Sequence, residues 1–245
     1  MLGGQLPRRF ESFRLRQMSK LEPYINYKVN KSFNLDKGFI VTAKNVCNAA
    51  VLTDKIIAEL PKSLFLSIDY KTVSAVVGSI FCQSLANEVD GAMVNPIEKG
   101  HPDIIPKSGA EASEESLRNY PQGLEIKCTI GNIKTGSNLR AGKNRLDVLT
   151  GITWQAHHRE VKELLGIVWD FENQHDDFSY PTITGVFFSS LLNIDDWGAI
   201  SGTTGRNTKV CGMNSSGRLK MAKGWILIHN KYQEKYFKLL GIEKS

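Results

Sequence analysis

HPDIIPKSGAEASEESLRNYPQGLEIKCTIG, residues 101–131, ends in an alternation that decides the fold. In its closing GLEIKCTIG, Leu124, Ile126, Cys128 and Ile130 alternate with Glu125, Lys127 and Thr129, the period-two pattern of a strand with one apolar face. Glu125 and Lys127 stand two apart, so their side chains leave the same face. Asp103 follows Pro102 and opens a short apolar run, offering a second carboxylate from a turn. The stretch thus predicts an acid and an ammonium side by side at the edge of a core, with another acid close by. Two carboxylates that converge on one point hold Mg²⁺ through hard oxygen ligands and leave water and a substrate phosphate to complete its shell. Such an ion polarises the phosphate and acidifies a bound water, while Lys127 orients that water and offsets charge in the transition state. Cleavage of a phosphodiester needs those parts.

Outward toward the N-terminus, TVSAVVGSIFCQSLANEVD (residues 72–90) places Val73, Val76, Val77, Ile80, Phe81 and Leu85 at the three-and-four spacing of an amphipathic helix. Counted at about 100° per residue from Val73, its apolar positions lie between roughly −60° and +160°, and Glu88 falls at about 60°, inside the apolar face. Asp90 falls on the polar side. A carboxylate aimed into a core is costly unless paired or metal-bound, so Glu88 requires a partner there, unless it is a partly exposed residue at a fraying helix end. Residues 1–70 read as a variable N-terminal region, in which CNAAVLTDKIIAEL (residues 47–60) has helical spacing and Pro61 marks a stop. Toward the C-terminus, LLGIVWDF (164–171), GVFFSSLL (185–192) and GWILIHN (224–230) are strand candidates, and TWQAHHREVKEL (153–164) is expected to be a helix. Helices alternating with short apolar strands predict an α/β fold with a mixed central sheet flanked by helices. With no internal repeat and no linker, the 245 residues are expected to form one domain, its core spanning residues 72–230.

Pro102-Asp103, a gap, then Glu125-Ile126-Lys127 resembles the signature of the PD-(D/E)XK nuclease superfamily. The resemblance implies a restriction-endonuclease-like core with the two halves of the motif on neighbouring strands. It implies that Asp103 and Glu125 hold the metal and that Lys127 serves the attacking water. Family members often carry a further acid on the helix before the motif, which is the placement of Glu88. At the level of the motif the likeness covers residues 72–131, and size and loops together look most like a type II restriction endonuclease. That role implies a Mg²⁺-dependent homodimer cutting a short duplex site. A repair or structure-specific nuclease could use the same core. A protein of another class, binding DNA without cutting it, would be expected to lose at least one of Asp103, Glu125 and Lys127.

The stretch GNIKTGSNLRAGKNR (131–145) carries Lys134, Arg140, Lys143 and Arg145 with little apolar content. It suits a phosphate backbone, or else is a solvated loop. In WQAHHREV, Gln155, His157, His158 and Arg159 are candidate base or phosphate contacts; adjacent histidines point to different faces and make a poor metal site. SGTTGRNTKVCGMNSSGRLKMAKG (201–224) carries Arg206, Asn207, Lys209 and Arg218, which suit groove edges, the alternative being a hairpin tip or lid.

Composition sets outer bounds. The net charge of +6 arises from 31 basic and 25 acidic residues, a mild bias toward an anionic partner. The opening MLGGQLPRRFESFRLRQMSK reads as a basic arm or, less well because of Glu11, as a transit segment. Cys47, Cys82, Cys128 and Cys211 form no CxxC pair, so neither a zinc ribbon nor a disulfide framework is indicated, and a reducing cytoplasm is the expected setting. No apolar run reaches the roughly 18–20 residues of a membrane span. P-loop, GxGxxG and GxSxG motifs are absent, so no organic cofactor is expected.

Overall fold

The computed structural model describes residues 26–98, 100–133, 149–156, 159–175, 177–200 and 210–241. The chain begins with β1 (Tyr27–Val29), β2 (Asn34–Asp36) and β3 (Ile40–Thr42), then runs through α1 (Ala43–Ala58), α2 (Lys62–Ser67) and α3 (Tyr70–Glu88). There follow β4 (Ala92–Val94), β5 (Ile104–Pro106), α4 (Glu114–Arg118), β6 (Ile126–Thr129), β7 (Asn132–Ile133), β8 (Leu149–Gly151) and β9 (Gln155–Ala156). The long strands β10 (Leu164–His175) and β11 (Phe178–Ser189) precede β12 (Cys211–Gly212), α5 (Ser215–Lys223), β13 (Trp225–His229) and α6 (Gln233–Leu240). Local chemistry sets the helix starts. Thr42 and Asn45 form a reciprocal capping box on α1, and the Asp69 carboxylate accepts from Thr72 N at 2.8 Å to cap α3.

Five strands form one mixed sheet in the order β1-β13-β11-β10-β6, antiparallel except for β6, which pairs in parallel with β10. Strand β10 shows why the sheet is sandwiched. Leu165, Ile167, Trp169 and Phe171 face one core with Val46 and Ile57 of α1 and Val73, Val77 and Phe81 of α3. Leu164 and Val168 face a second core with Met221 of α5, Tyr236 of α6 and Trp154. Gly166 belongs to that second side. A Cβ there would lie 2.4 Å from the Trp154 ring, whose Nε1 donates to Ile167 O at 3.2 Å. The fold is therefore mixed α/β, a five-stranded sheet flanked by helices.

The helix expected over 153–164 is not formed. Ile152, Trp154 and Ala156 are all buried, the spacing of a strand, and β9 pairs with β12. Burial of Trp154 against Gly166 outweighs helical propensity there. The expected strand over 185–192 starts earlier, at Phe178, and the polar stretch 201–224 ends in a helix, α5.

Candidate active site

Asp103 stands at the entrance of β5, Glu125 at the entrance of β6 and Lys127 on β6, so the site depends on how these strands meet. Ile104 N donates to Leu124 O at 3.1 Å and Leu124 N to Ile104 O at 2.8 Å. Gly123 permits this approach, because its φ of +144° suits glycine and a Cβ would fall 2.2 Å from Ile104 O. One residue before this bridge, Asp103 Oδ2 accepts from Ile126 N at 2.7 Å. The two halves of the motif are thereby locked together through backbone, and Glu125 and Lys127 leave the same side of their strand.

Lys127 Nζ sits 2.5 Å from Glu125 Oε1 and 4.0 Å from Asp103 Oδ2. The second oxygen of Glu125 faces His101, whose Nδ1 is 3.2 Å away. Charges in this cluster are set by mutual contacts. Burial pushes the Asp103 carboxyl up to about 6, and the adjacent Glu125 charge pushes the same way. At Glu125 burial also acts upward, but the His101 hydrogen bond and Lys127 outweigh it and hold that carboxyl below its ordinary value. Burial disfavours the Lys127 ammonium, yet Glu125 and Asp103 overcome this and its pKa is raised. The hydrogen bond to Glu125 raises His101 as well. Two neighbouring carboxyls of unlike proton affinity thus flank one ammonium.

Asp103 and Lys127 open on a cavity of about 580 Å³ between α3 and residues 94–98, while Glu125 and His101 line another of about 360 Å³ with Tyr120 and Pro121. The donor set fits a hard cation. Lys127 already places a positive charge between the two acids, and the outer oxygen of Asp103 has no hydrogen-bond partner among the described residues. No group of three or more His, Cys, Asp or Glu side chains suited to a metal occurs among the described residues. Two carboxyl groups are hard oxygen donors of the kind that Mg²⁺ takes.

Glu88 corrects one expectation. It does lie on the inward side of α3, but its partner is α1: Glu88 Oε2 accepts from Asn48 Nδ2 at 2.8 Å, and its backbone carbonyl accepts from Asn45 Nδ2 at 2.8 Å. The side of α3 that faces Asp103 is instead the one bearing Ser74, Gly78 and Cys82. The partner that its place on the helical wheel calls for is Asn48 of α1, which packs on the same face. Arg159 spans between backbone carbonyls, donating from Nη2 to Ile194 O at 3.1 Å and Trp197 O at 3.4 Å. Arg218 bonds Ser215 Oγ at 2.8 Å within α5, and Gln155 is exposed on β9. Lys134, Arg140, Lys143, Arg145, His157, His158, Arg206, Asn207 and Lys209 lie outside the described residues. His101 went unread in the sequence although it directly precedes the Pro102-Asp103 pair. The bridge between β5 and Leu124, with backbone hydrogen bonds from His101 N to Arg118 O at 3.1 Å and from Tyr120 N to His101 O at 2.7 Å, brings it to Glu125.

Comparison of the chain with family models, with curated proteins and with solved structures finds no match. No described helix is long and apolar enough to cross a membrane.

Proposed function

We propose that the protein is a Mg²⁺-dependent DNA endonuclease that hydrolyses phosphodiester bonds with Asp103, Glu125 and Lys127. One observation carries this reading: two carboxyls, at the entrances of β5 and β6, meet a single ammonium at the rim of an open cavity. A structural ion cluster would be expected to seal itself, whereas Asp103 and Lys127 face a space large enough for substrate. Asp103 and Glu125 are the residues that would hold Mg²⁺, which supplies polarisation of the phosphate and a more acidic water. Lys127, kept protonated by its neighbours, donates a hydrogen bond to the water or the non-bridging oxygen and offsets negative charge. His101 fixes the rotation of the Glu125 carboxylate by holding Oε2. The biological role that fits best is a type II restriction enzyme, a cytoplasmic homodimer in which each subunit cuts one strand of a duplex site.

The test is digestion of plasmid and phage DNA with purified protein and Mg²⁺. Discrete fragments, lost in chelator and in Asp103→Asn, support a sequence-specific nuclease. Nicking without discrete fragments, or cutting confined to branched substrates, would replace the restriction role with a repair role. DNA binding without any cutting would remove the catalytic reading.

A further inference from the structure

Helix α3 presents to the larger cavity a face without bulky side chains, made of Ser74, Ala75, Gly78, Ser79 and Cys82, with Lys71 at its N-terminal end. Gly78 sits where a Cβ would come 3.3 Å from Cys128 Cβ, so its lack of a side chain lets α3 lie close against the strand that bears Lys127. Ser74 is held by Trp169, whose Nε1 donates to Ser74 Oγ at 2.8 Å. The opposite wall is just as firmly built. Asn95 Nδ2 donates to Leu117 O at 2.9 Å and Pro102 O at 3.1 Å, while Asn95 Oδ1 accepts from Ile97 N at 3.3 Å. A Cβ on Gly100 would fall 2.3 Å from that same amide. Both walls are thus fixed before any ligand arrives, and Asp103 and Lys127 line the space between them.

From this we infer that the groove between α3 and residues 94–98 seats one deoxynucleotide of a single DNA strand, the one adjoining the phosphate to be cut. The inference rests on the nuclease reading and adds where the strand lies. At about 580 Å³ the space falls in the range, roughly 300–1,000 Å³, that encloses a small organic ligand, which suits one nucleotide and is too small for a duplex. Hydroxyls of Ser74 and Ser79 and the ammonium of Lys71 are donors suited to a sugar-phosphate, and the apolar surface of Val94, Pro96 and Ile97 suits a sugar or base. The small side chains of α3 allow the backbone of the strand to approach.

Ala75 and Ser79 are exposed, so a large side chain there fills the groove without entering the core. Ala75→Trp and Ser79→Trp are compared with Gln83→Trp, an exposed position of the same helix that does not line the groove. The readouts are anisotropy of a fluorescein-labelled single strand and of a duplex, with Ca²⁺ in place of Mg²⁺, and thermal melting as a folding control. Ala75→Trp and Ser79→Trp are expected to weaken DNA binding by about tenfold or more, with melting and Ca²⁺-induced stabilisation unchanged, and Gln83→Trp to bind like the unmodified protein. Normal binding and cutting by Ala75→Trp and Ser79→Trp would overturn the groove while leaving the nuclease reading intact. Equal loss in Gln83→Trp would overturn it too. An unmodified protein that binds neither strand nor duplex would overturn the nuclease reading, and the groove with it.

Discussion

Replacing Lys127 with Met keeps the apolar stem of the side chain and removes the one charge that separates Glu125 from Asp103. Lys127 and Glu125 are 22% and 13% exposed, so their contact is mostly shielded from water. Breaking a fully buried pair from one side costs ~3–5 kcal/mol, and the remaining solvent access here lowers that to about 1–3 kcal/mol. In Lys127→Met both carboxyls are pushed up by burial and by each other, so the folded state keeps protons that the unfolded chain has lost. A carboxyl whose folded pKa is raised destabilises increasingly as pH climbs, so the deficit should be largest at alkaline pH and shrink as pH falls through the Asp103 pKa, which is about 6 with Lys127 present and higher without it. At roughly 2–4 °C per kcal/mol for a chain of this size, melting should fall by several degrees at alkaline pH. Millimolar Ca²⁺ or Mg²⁺ should restore most of it, because a bound cation stabilises by mass action and replaces the missing charge. Differential scanning calorimetry across this pH range, with and without the ion, is the assay. A deficit that stays flat with pH, or that divalent cations leave untouched, would refute a cation site at Asp103 and Glu125.

Four further outcomes are expected. His101→Ala should slow DNA cutting about tenfold or more, and His101→Asn, which keeps a donor near the Nδ1 position, should recover part of it; equal loss in both would show that holding Glu125 Oε2 is not the role of His101. Asp54 projects from α1, accepts from Tyr27 Oη at 2.7 Å and Ile183 N at 2.8 Å, and is pushed by burial to about 7. Its raised pKa contributes stability at acid pH that is lost as pH rises through about 7, so the melting of Asp54→Asn relative to the unmodified protein should improve over that interval, and a pH-independent difference would contradict this. Gly166→Ala should destabilise by about 1–3 kcal/mol in urea titrations, since its Cβ must displace the Trp154 ring. Arg159→Ala should lower the melting temperature with little effect on DNA binding, because its guanidinium spans backbone carbonyls; the opposite result would return Arg159 to the DNA interface.

Where the sequence was legible, one local rule sufficed. The alternation from Leu124 to Ile130 marks β6 and assigns Glu125 and Lys127 to one side, and the helix read over residues 72–90 matches α3 within two residues at each end. Long apolar strands and their helices were enough to reach a mixed α/β fold. What was hidden depended on partners distant in sequence. Glu88 obeys the helical wheel, but nothing in its own helix says that Asn48 of α1 stands opposite it. Residues 153–156 look helical until the missing side chain of Gly166 is seen to make a socket for Trp154. Arg159 has the composition of a DNA contact and the geometry of a structural clamp, a difference visible only once Ile194 and Trp197 are placed beside it. His101 reaches Glu125 through contacts distant in sequence, the close approach that Gly123 permits and the backbone pairing of His101 with Arg118 and Tyr120.

The central claim is that Asp103, Glu125 and Lys127 form one phosphodiester-cutting centre. Single-turnover cleavage of an end-labelled phage DNA digest tests it most directly, comparing the unmodified protein with Lys127→Met in Mg²⁺ and measuring binding of both to the same DNA in Ca²⁺. The account predicts cutting by the unmodified protein alone and near-equal binding by the two, since Lys127 acts on the reacting centre rather than on affinity. Cleavage by Lys127→Met at the unmodified rate, or cleavage that persists in chelator, would contradict it.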